Sequence, residues 1–364
     1  MMDKIILFIV TLILFSSIAI FNNSAWSQQS FLITSTRDTF DLNNGTVLQK
    51  TATSLPNANS LLNIGTNRCP PEIAIYIHGI WATPAIANEQ TERVYLSLKN
   101  LNYKNPLIGF SWDSDTPFSL EDQAISQHGW ETAKIIANKN GPLLAKFVVD
   151  FKKKCPDSEV RLVAHSLGSR VVLSSLQSLN NDEQFANLGT NINKTSTSKI
   201  IKSVHLMGAA VDDEQLSMNP LDCISNIPKL ECSGIPIEKQ VEHFYNLYDT
   251  QDNMVAPTFF GALDSVYKIT EDDDALGGKG AENILNTPNN YNQTNVIKEI
   301  LVDIDANGDG ECDLPVFGFG FIGCSILFLG DNHFGYMGYR DFDEETVYDE
   351  GVMDIIAADW RNEK

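Results

Sequence analysis

A chain of 364 residues, 43% of them hydrophobic, is long enough for one large α/β domain or two smaller ones, and either can bury a full core. Its formal charge of -21, from 26 Lys and Arg against 47 Asp and Glu, works against nucleic acid and anionic lipid as partners and favours bound cations. Nothing in the six cysteines argues for zinc: there is no Cys-x-x-Cys pair and no His-rich cluster.

At the N-terminus, Lys4 precedes an uncharged apolar run from Ile5 to Phe21, followed by Ala25-Trp26-Ser27, a small-x-small site before Gln28. Residues 1–27 read as a secretory signal peptide or, because the run is long for that role, as an uncleaved membrane anchor. Either reading exports residues 28–364 and predicts disulfides from the even cysteine count.

The polar stretch from Ser30 to Arg68 holds two strand-like runs, Phe31 to Thr36 and Thr46 to Thr53, expected as edge strands. Ile73 to Ile77 is a continuous apolar strand of the buried kind, running into His78-Gly79-Ile80-Trp81. Gln90 to Asn100 has helical spacing, Leu107 to Trp112 is another buried strand, and Trp130 to Lys154 is helical in period. Gly141-Pro142 should there start a new helix or kink a long one. Ile200 to Ala210, Val241 to Tyr248 and Ser325 to Leu329 are further strands. Two irregular stretches, about 212–239 and 278–294, are candidates for cap-like insertions, and no linker divides the chain. Strands alternating with helices over this length call for a mostly parallel sheet covered on both faces.

After the second of these helices comes Glu159-Val-Arg-Leu-Val-Ala-His-Ser-Leu-Gly-Ser-Arg170, an apolar strand run joined at Ser166 to a run of helical period. Such a turn lifts one side chain above the carboxyl edge of the sheet and sets the next N–H at a helix N-terminus, where an oxyanion can be held. Crowding demands small residues two before and two after the Ser, and these are Ala164 and Gly168. The motif is a G-x-S-x-G nucleophile elbow with Ala in its first place. The competing reading of Ser166, as a helix cap, is decided by whether partners occur elsewhere in the chain.

From Ile73 to Gly338 the sequence resembles an α/β-hydrolase of the lipase and esterase branch, on the elbow Ala164-His165-Ser166-Leu167-Gly168, the turn at His78-Gly79, and acid and His signals in the right order. The resemblance implies a three-layer α/β fold with small caps and a triad in the chain order Ser, acid, His. Three histidines follow Ser166. His205 and His243 sit in strand-like runs, whereas His333 lies in a polar loop, as a general base requires. The acid follows the strand Val241 to Tyr248, where Asp249 and Asp252 both qualify; Asp252 is the better match. Leu167 and Ile80 are the implied oxyanion donors, His78 is expected to be structural, and Trp81 either lines the acyl pocket or covers the core. In such a sheet Cys69 and Cys155 sit at the bottom of neighbouring strands and would pair; Cys223 with Cys232 and Cys312 with Cys324 are the other expected bridges.

Separately, Asp303-Ile-Asp305-Ala-Asn307-Gly-Asp309-Gly-Glu311 matches the opening of a D-x-D-x-N-G loop, an oxygen cage for Ca²⁺, although Leu314 stands where a bidentate Glu belongs. The expected ion is structural, with no cofactor for catalysis. The resulting expectation is a secreted serine hydrolase acting on small-molecule or lipid esters. Its rivals are a calcium-stabilised binding module without activity, and an amidase or thioesterase using the same triad.

Overall fold

A computed structural model describes residues 31–48, 69–119, 122–181, 199–223, 230–250, 252, 254–255, 274–303, 332–340 and 347–363. The strands are β1 (Leu32–Ser35), β2 (Glu72–Ile77), β3 (Leu107–Ser111), β4 (Glu159–His165), β5 (Ile201–Met207), β6 (Val241–Tyr248), β7 (Tyr291–Asn295), β8 (Tyr339–Arg340) and β9 (Val347–Asp349). The helices are α1 (Pro84–Asn100), α2 (Gln123–Lys154), α3 (Gly168–Asn181), α4 (Gly234–Gln240), α5 (Leu276–Lys279), α6 (Ile297–Asp303), α7 (Asn332–Gly335) and α8 (Met353–Asn362).

Strands β1 to β7 form one sheet in the order β1-β3-β2-β4-β5-β6-β7, every neighbouring pair parallel. Alternation along β2 shows how the layers form. Ile73, Ile75 and Ile77 pack with Phe147 of α2, Leu173 of α3 and Ile237 of α4. Ala74 and Tyr76 pack with Val94 and Leu98 of α1, Ile300 of α6 and Ile356 of α8. Both faces of β2 are therefore dry, and each buried isoleucine contributes about 1.5–3 kcal/mol. This is a three-layer α/β fold.

Below the sheet, the fully buried Arg161 lies 3.2 Å from Glu72 and 3.3 Å from Glu159, also pairs with Glu363, and has its guanidinium carbon 5.2 Å from the Trp360 ring centroid. It fastens the C-terminal helix to β2 and β4. His205 reaches the same helix, with Nε2 3.2 Å from Asp359 Oδ2 and its ring stacked on Tyr245, so it is a core histidine held through one ring nitrogen. The register pairs Glu72 with Glu159 and brings the chain ends below β2 and β4 together. Cys69 and Cys155 form a disulfide there with a Cα–Cα distance of 5.5 Å, and Cys223–Cys232 is the second. Cys312 and Cys324 lie outside the described residues.

Several expectations are corrected. Helix α1 begins six residues before Gln90, because Thr83 accepts the Ile86 N–H at 3.3 Å and Pro84 supplies the first turn. Helix α2 continues through Gly141-Pro142, so of the two expectations for that pair no new helix starts there. Proline frees the carbonyl four residues back, that of Asn138, and the Ser174 hydroxyl on α3 donates to it at 2.8 Å. The stretch 278–294 is not a cap throughout: its end forms β7, which pairs with β6 at the sheet edge. Of the stretch 212–239, residues 213–216 form a 3-10 turn and 234–239 begin α4, which packs on α3, while residues 224–229 lie outside the described residues. The first edge run becomes β1; of the second, Val47 makes a single bridge to Phe40 and residues 49–53 lie outside the described residues, as does the strand expected at 325–329.

Candidate active site

Strand β4 ends at His165, and the next residue, Ser166, has a φ of 53°. That left-handed conformation costs a non-glycine residue roughly 1–3 kcal/mol and is held by its surroundings. Here the Ser166 N–H donates to Met207 O at 2.9 Å, while its carbonyl accepts from Ser169 at 3.0 Å and Ala210 at 3.3 Å. Gly168 is obligatory, since a Cβ there would stand 2.5 Å from Ile77 O and 2.6 Å from His78 O. The small residues on both sides of Ser166 thus let α3 leave close against β2.

Beyond β6, Asp252 is fully buried. Its Oδ1 accepts the N–H groups of Met254 at 2.9 Å and Val255 at 3.2 Å, and its Oδ2 lies 2.7 Å from His333 Nδ1 on the short helix α7. Of the two candidate acids, Asp252 is the one that meets His333; Asp249 turns the chain, its carbonyl accepting the Asp252 N–H at 3.0 Å. Gly208, at the end of β5 with a φ of 53°, makes room for the pair. A Cβ there would come within 3.0 Å of Asp252 Oδ2 and 3.2 Å of His333 Cε1. Nothing in the sequence reading singled out Gly208, whose signal is a glycine directly after a buried strand.

The loop after β2 rests on Ser166: a Cβ on Gly79 would lie 2.8 Å from Ser166 Cβ and 3.3 Å from its Oγ. Ile80, the expected second donor, follows directly, and Leu167 follows Ser166. His78 proves structural. Its Nε2 accepts the Trp112 N–H at 3.1 Å, so the proton sits on Nδ1, which donates to Gly79 O at 2.9 Å; the Trp112 indole donates back to His78 O at 2.8 Å. Burial, then the Arg37 charge, push its pKa down to about 3, so the ring stays neutral. Arg37 also braces this loop by donating to Ala82 O at 2.6 Å. Trp81 has a φ of 55° and packs its ring against Phe118 and Trp130, with centroids 4.5 and 6.5 Å away.

A cavity of about 490 Å³ lies beside β1 and α1, bordered by Ser35, Arg37, Asn88 and Ser111; its lining includes none of Ser166, Asp252 or His333. Of the expected calcium ligands, Asp303 ends α6, and Asp305, Asn307, Asp309 and Glu311 lie outside the described residues. Among the described residues no group of three or more His, Cys, Asp or Glu could hold a metal ion, and no helix is long and apolar enough to cross a membrane.

Residues 65–231 match the model of the family DUF900, described as an alpha/beta hydrolase of unknown function. This segment holds the Gly79 turn and the Ser166 elbow, and the match supports a hydrolase. No curated protein matches the chain. Among solved structures, the catalytic core domain of an acetyl xylan esterase from Trichoderma reesei is 14% identical, with 41% of this chain and 68% of that one covered and a TM-score of 0.27. An acetylxylan esterase structure is 13% identical over 49% of this chain and 83% of that one, with a TM-score of 0.29. An iodinated complex of acetyl xylan esterase is 13% identical over 50% and 84%, with a TM-score of 0.27. Likenesses this weak carry no argument about substrate.

Proposed function

We propose that this α/β-hydrolase is an exported serine hydrolase that cleaves carboxylic esters through Ser166, His333 and Asp252. The observation that carries the reading is the 2.7 Å contact between His333 Nδ1 and the buried Asp252 Oδ2, made across 81 residues of chain at the sheet edge where Ser166 stands in its left-handed elbow.

Asp252 has its Oδ1 occupied by two backbone N–H groups, so Oδ2 is directed at the imidazole and fixes the proton on Nδ1. His333 then offers Nε2 as a base toward the Ser166 hydroxyl. Attack of Oγ on the ester carbonyl transfers the hydroxyl proton to His333, and Asp252 stabilises the imidazolium. The tetrahedral oxyanion takes hydrogen bonds from the N–H groups of Leu167 and Ile80, each worth roughly 2.7–4 kcal/mol when removed alone. Collapse expels the alcohol, which takes the proton from His333; water then attacks the acyl-Ser166 as His333 accepts its proton, and the bond to Oγ breaks as His333 returns that proton to Ser166 and the carboxylic acid leaves. Export is supported by the apolar N-terminal run and the two disulfides.

A fluorophosphonate probe tests the reading directly. It should label the folded protein at Ser166 and leave Ser166→Ala unlabelled; folded protein that takes no label would overturn the proposal.

A further inference from the structure

The base His333 is held at two points, of which the triad accounts for only one. Asp252 holds its ring. Its own backbone carbonyl accepts from His165 Nε2 at 2.6 Å, and the two imidazole centroids lie 4.6 Å apart. His165 is the last residue of β4, buried, next to the nucleophile in the chain. We infer that His165 is a positioning residue, which sets the distance between the base and the nucleophile by tying the backbone of His333 to the strand that ends at Ser166.

The chemistry of the contact fixes its direction. A carbonyl only accepts, so His165 Nε2 carries the proton and donates it. Burial, and then the charge of His333, lower the pKa of His165 well below its ordinary value, so the ring is neutral and can carry its one proton on Nε2. A neutral ring here also avoids a second positive charge when His333 becomes an imidazolium.

The geometry explains why one strand end holds both residues. Ser166 leaves the strand through its 53° φ, and the residue before it lies against α7 on the sheet face that also holds Tyr336. The Asp252 contact still lets the His333 ring pivot about its Nδ1. Fixing the carbonyl as well holds the backbone from which the ring hangs, so the base stays at one distance from the strand that ends beside Ser166. Displacements of about 1 Å in such a site can cost on the order of a hundredfold in rate.

The inference rests on the serine hydrolase reading, so the test separates the two. Full-length wild type, Ser166→Ala, His165→Met, His165→Gln and His165→Asn are compared on p-nitrophenyl esters and with the fluorophosphonate probe. Methionine fills the space without donating, asparagine donates but is too short to reach His333 O, and glutamine carries its amide nitrogen near the imidazole Nε2 position. Expected for His165→Met and His165→Asn is a roughly tenfold or greater fall in kcat with KM within about twofold of wild type. His165→Gln should recover most of the loss. If Ser166→Ala keeps wild-type labelling and turnover, the hydrolase reading falls. If Ser166→Ala is dead but His165→Met turns over like wild type, the positioning role alone is refuted. Should His165→Met not fold, Asn against Gln decides: equal kcat for the two refutes it.

Discussion

Gly79→Ala places a methyl group directly on Ser166, the proposed nucleophile. The new Cβ would stand 2.8 Å from Ser166 Cβ, 3.3 Å from its Oγ and 3.3 Å from His165 Nδ1. Carbon atoms pack best at about 3.5–4.0 Å, so the loop and the elbow must part by about 1 Å at their closest contact. Gly79 does not require a positive φ, and alanine is therefore strained by contact alone. Two consequences differ in size. Overpacking costs about 1–3 kcal/mol of stability, a modest part of what a domain of this size holds. Moving the Ile80 N–H and Ser166 apart by that distance costs on the order of a hundredfold in rate. The expected result is a folded protein whose melting temperature falls by only a few degrees and whose Ser166 labels with fluorophosphonate about a hundred times more slowly. Gly168→Ala is the contrasting control. Its clashes are with the carbonyls of Ile77 and His78, which cannot swing away, so stability should fall first. Wild-type labelling by Gly79→Ala would refute the placement of this loop against the nucleophile.

The bridges should differ in worth. Cys69–Cys155 spans 86 residues and Cys223–Cys232 spans 9, so loop entropy assigns them about 4.6 and about 2.6 kcal/mol; paired Cys→Ser variants compared by urea midpoint should rank in that order, and the reverse order would contradict the entropic account. Acid should weaken the fold through the histidines held neutral. Burial lowers the pKa of His78 to about 3, that of His165 well below its ordinary value, and that of His205 less. The unfolded chain therefore binds more protons than the folded one below the ordinary value of about 6.5, and stability falls as the pH drops through that window, by up to about 1.4 kcal/mol per pH unit for each histidine, while above it these groups contribute no slope. Melts taken between about pH 7.5 and pH 5 should show a shallower decline for His78→Asn than for wild type; parallel curves would count against a neutral buried His78.

What the sequence disclosed follows from how each residue acts. Strands β2 to β6 are dry on one or both faces and so carry apolar runs that can be read directly. Strand β7, Tyr-Asn-Gln-Thr-Asn, is exposed over most of its length at the sheet edge, so no apolar pattern marks it. Proline in α2 looked disruptive because the hydroxyl that compensates it, 36 residues from the freed Asn138 carbonyl, sits on another helix. Ser166, Asp252 and His333 could be named as candidates because the order of a triad along the chain is itself a signal, and the fold brings Asp252 Oδ2 to 2.7 Å from His333 Nδ1. Gly208 and His165 could not be named so, since one acts by leaving space and the other by a bond to a backbone atom 168 residues distant. Such roles depend on neighbours that only folding supplies.

The bridge below the sheet also alters how the molecule bears load. Tension entering from the N-terminal side first meets β1 and then Cys69. From there it crosses a covalent bond to Cys155, four residues before β4 begins. The residues between, a sequence separation of 86 and roughly 300 Å of chain if extended, are bypassed. They include β2, β3 and the whole loop from His78 to Ala82. The loop after β2 is thus mechanically shielded, and a pull from the N-terminal side is delivered to the strand that ends beside Ser166.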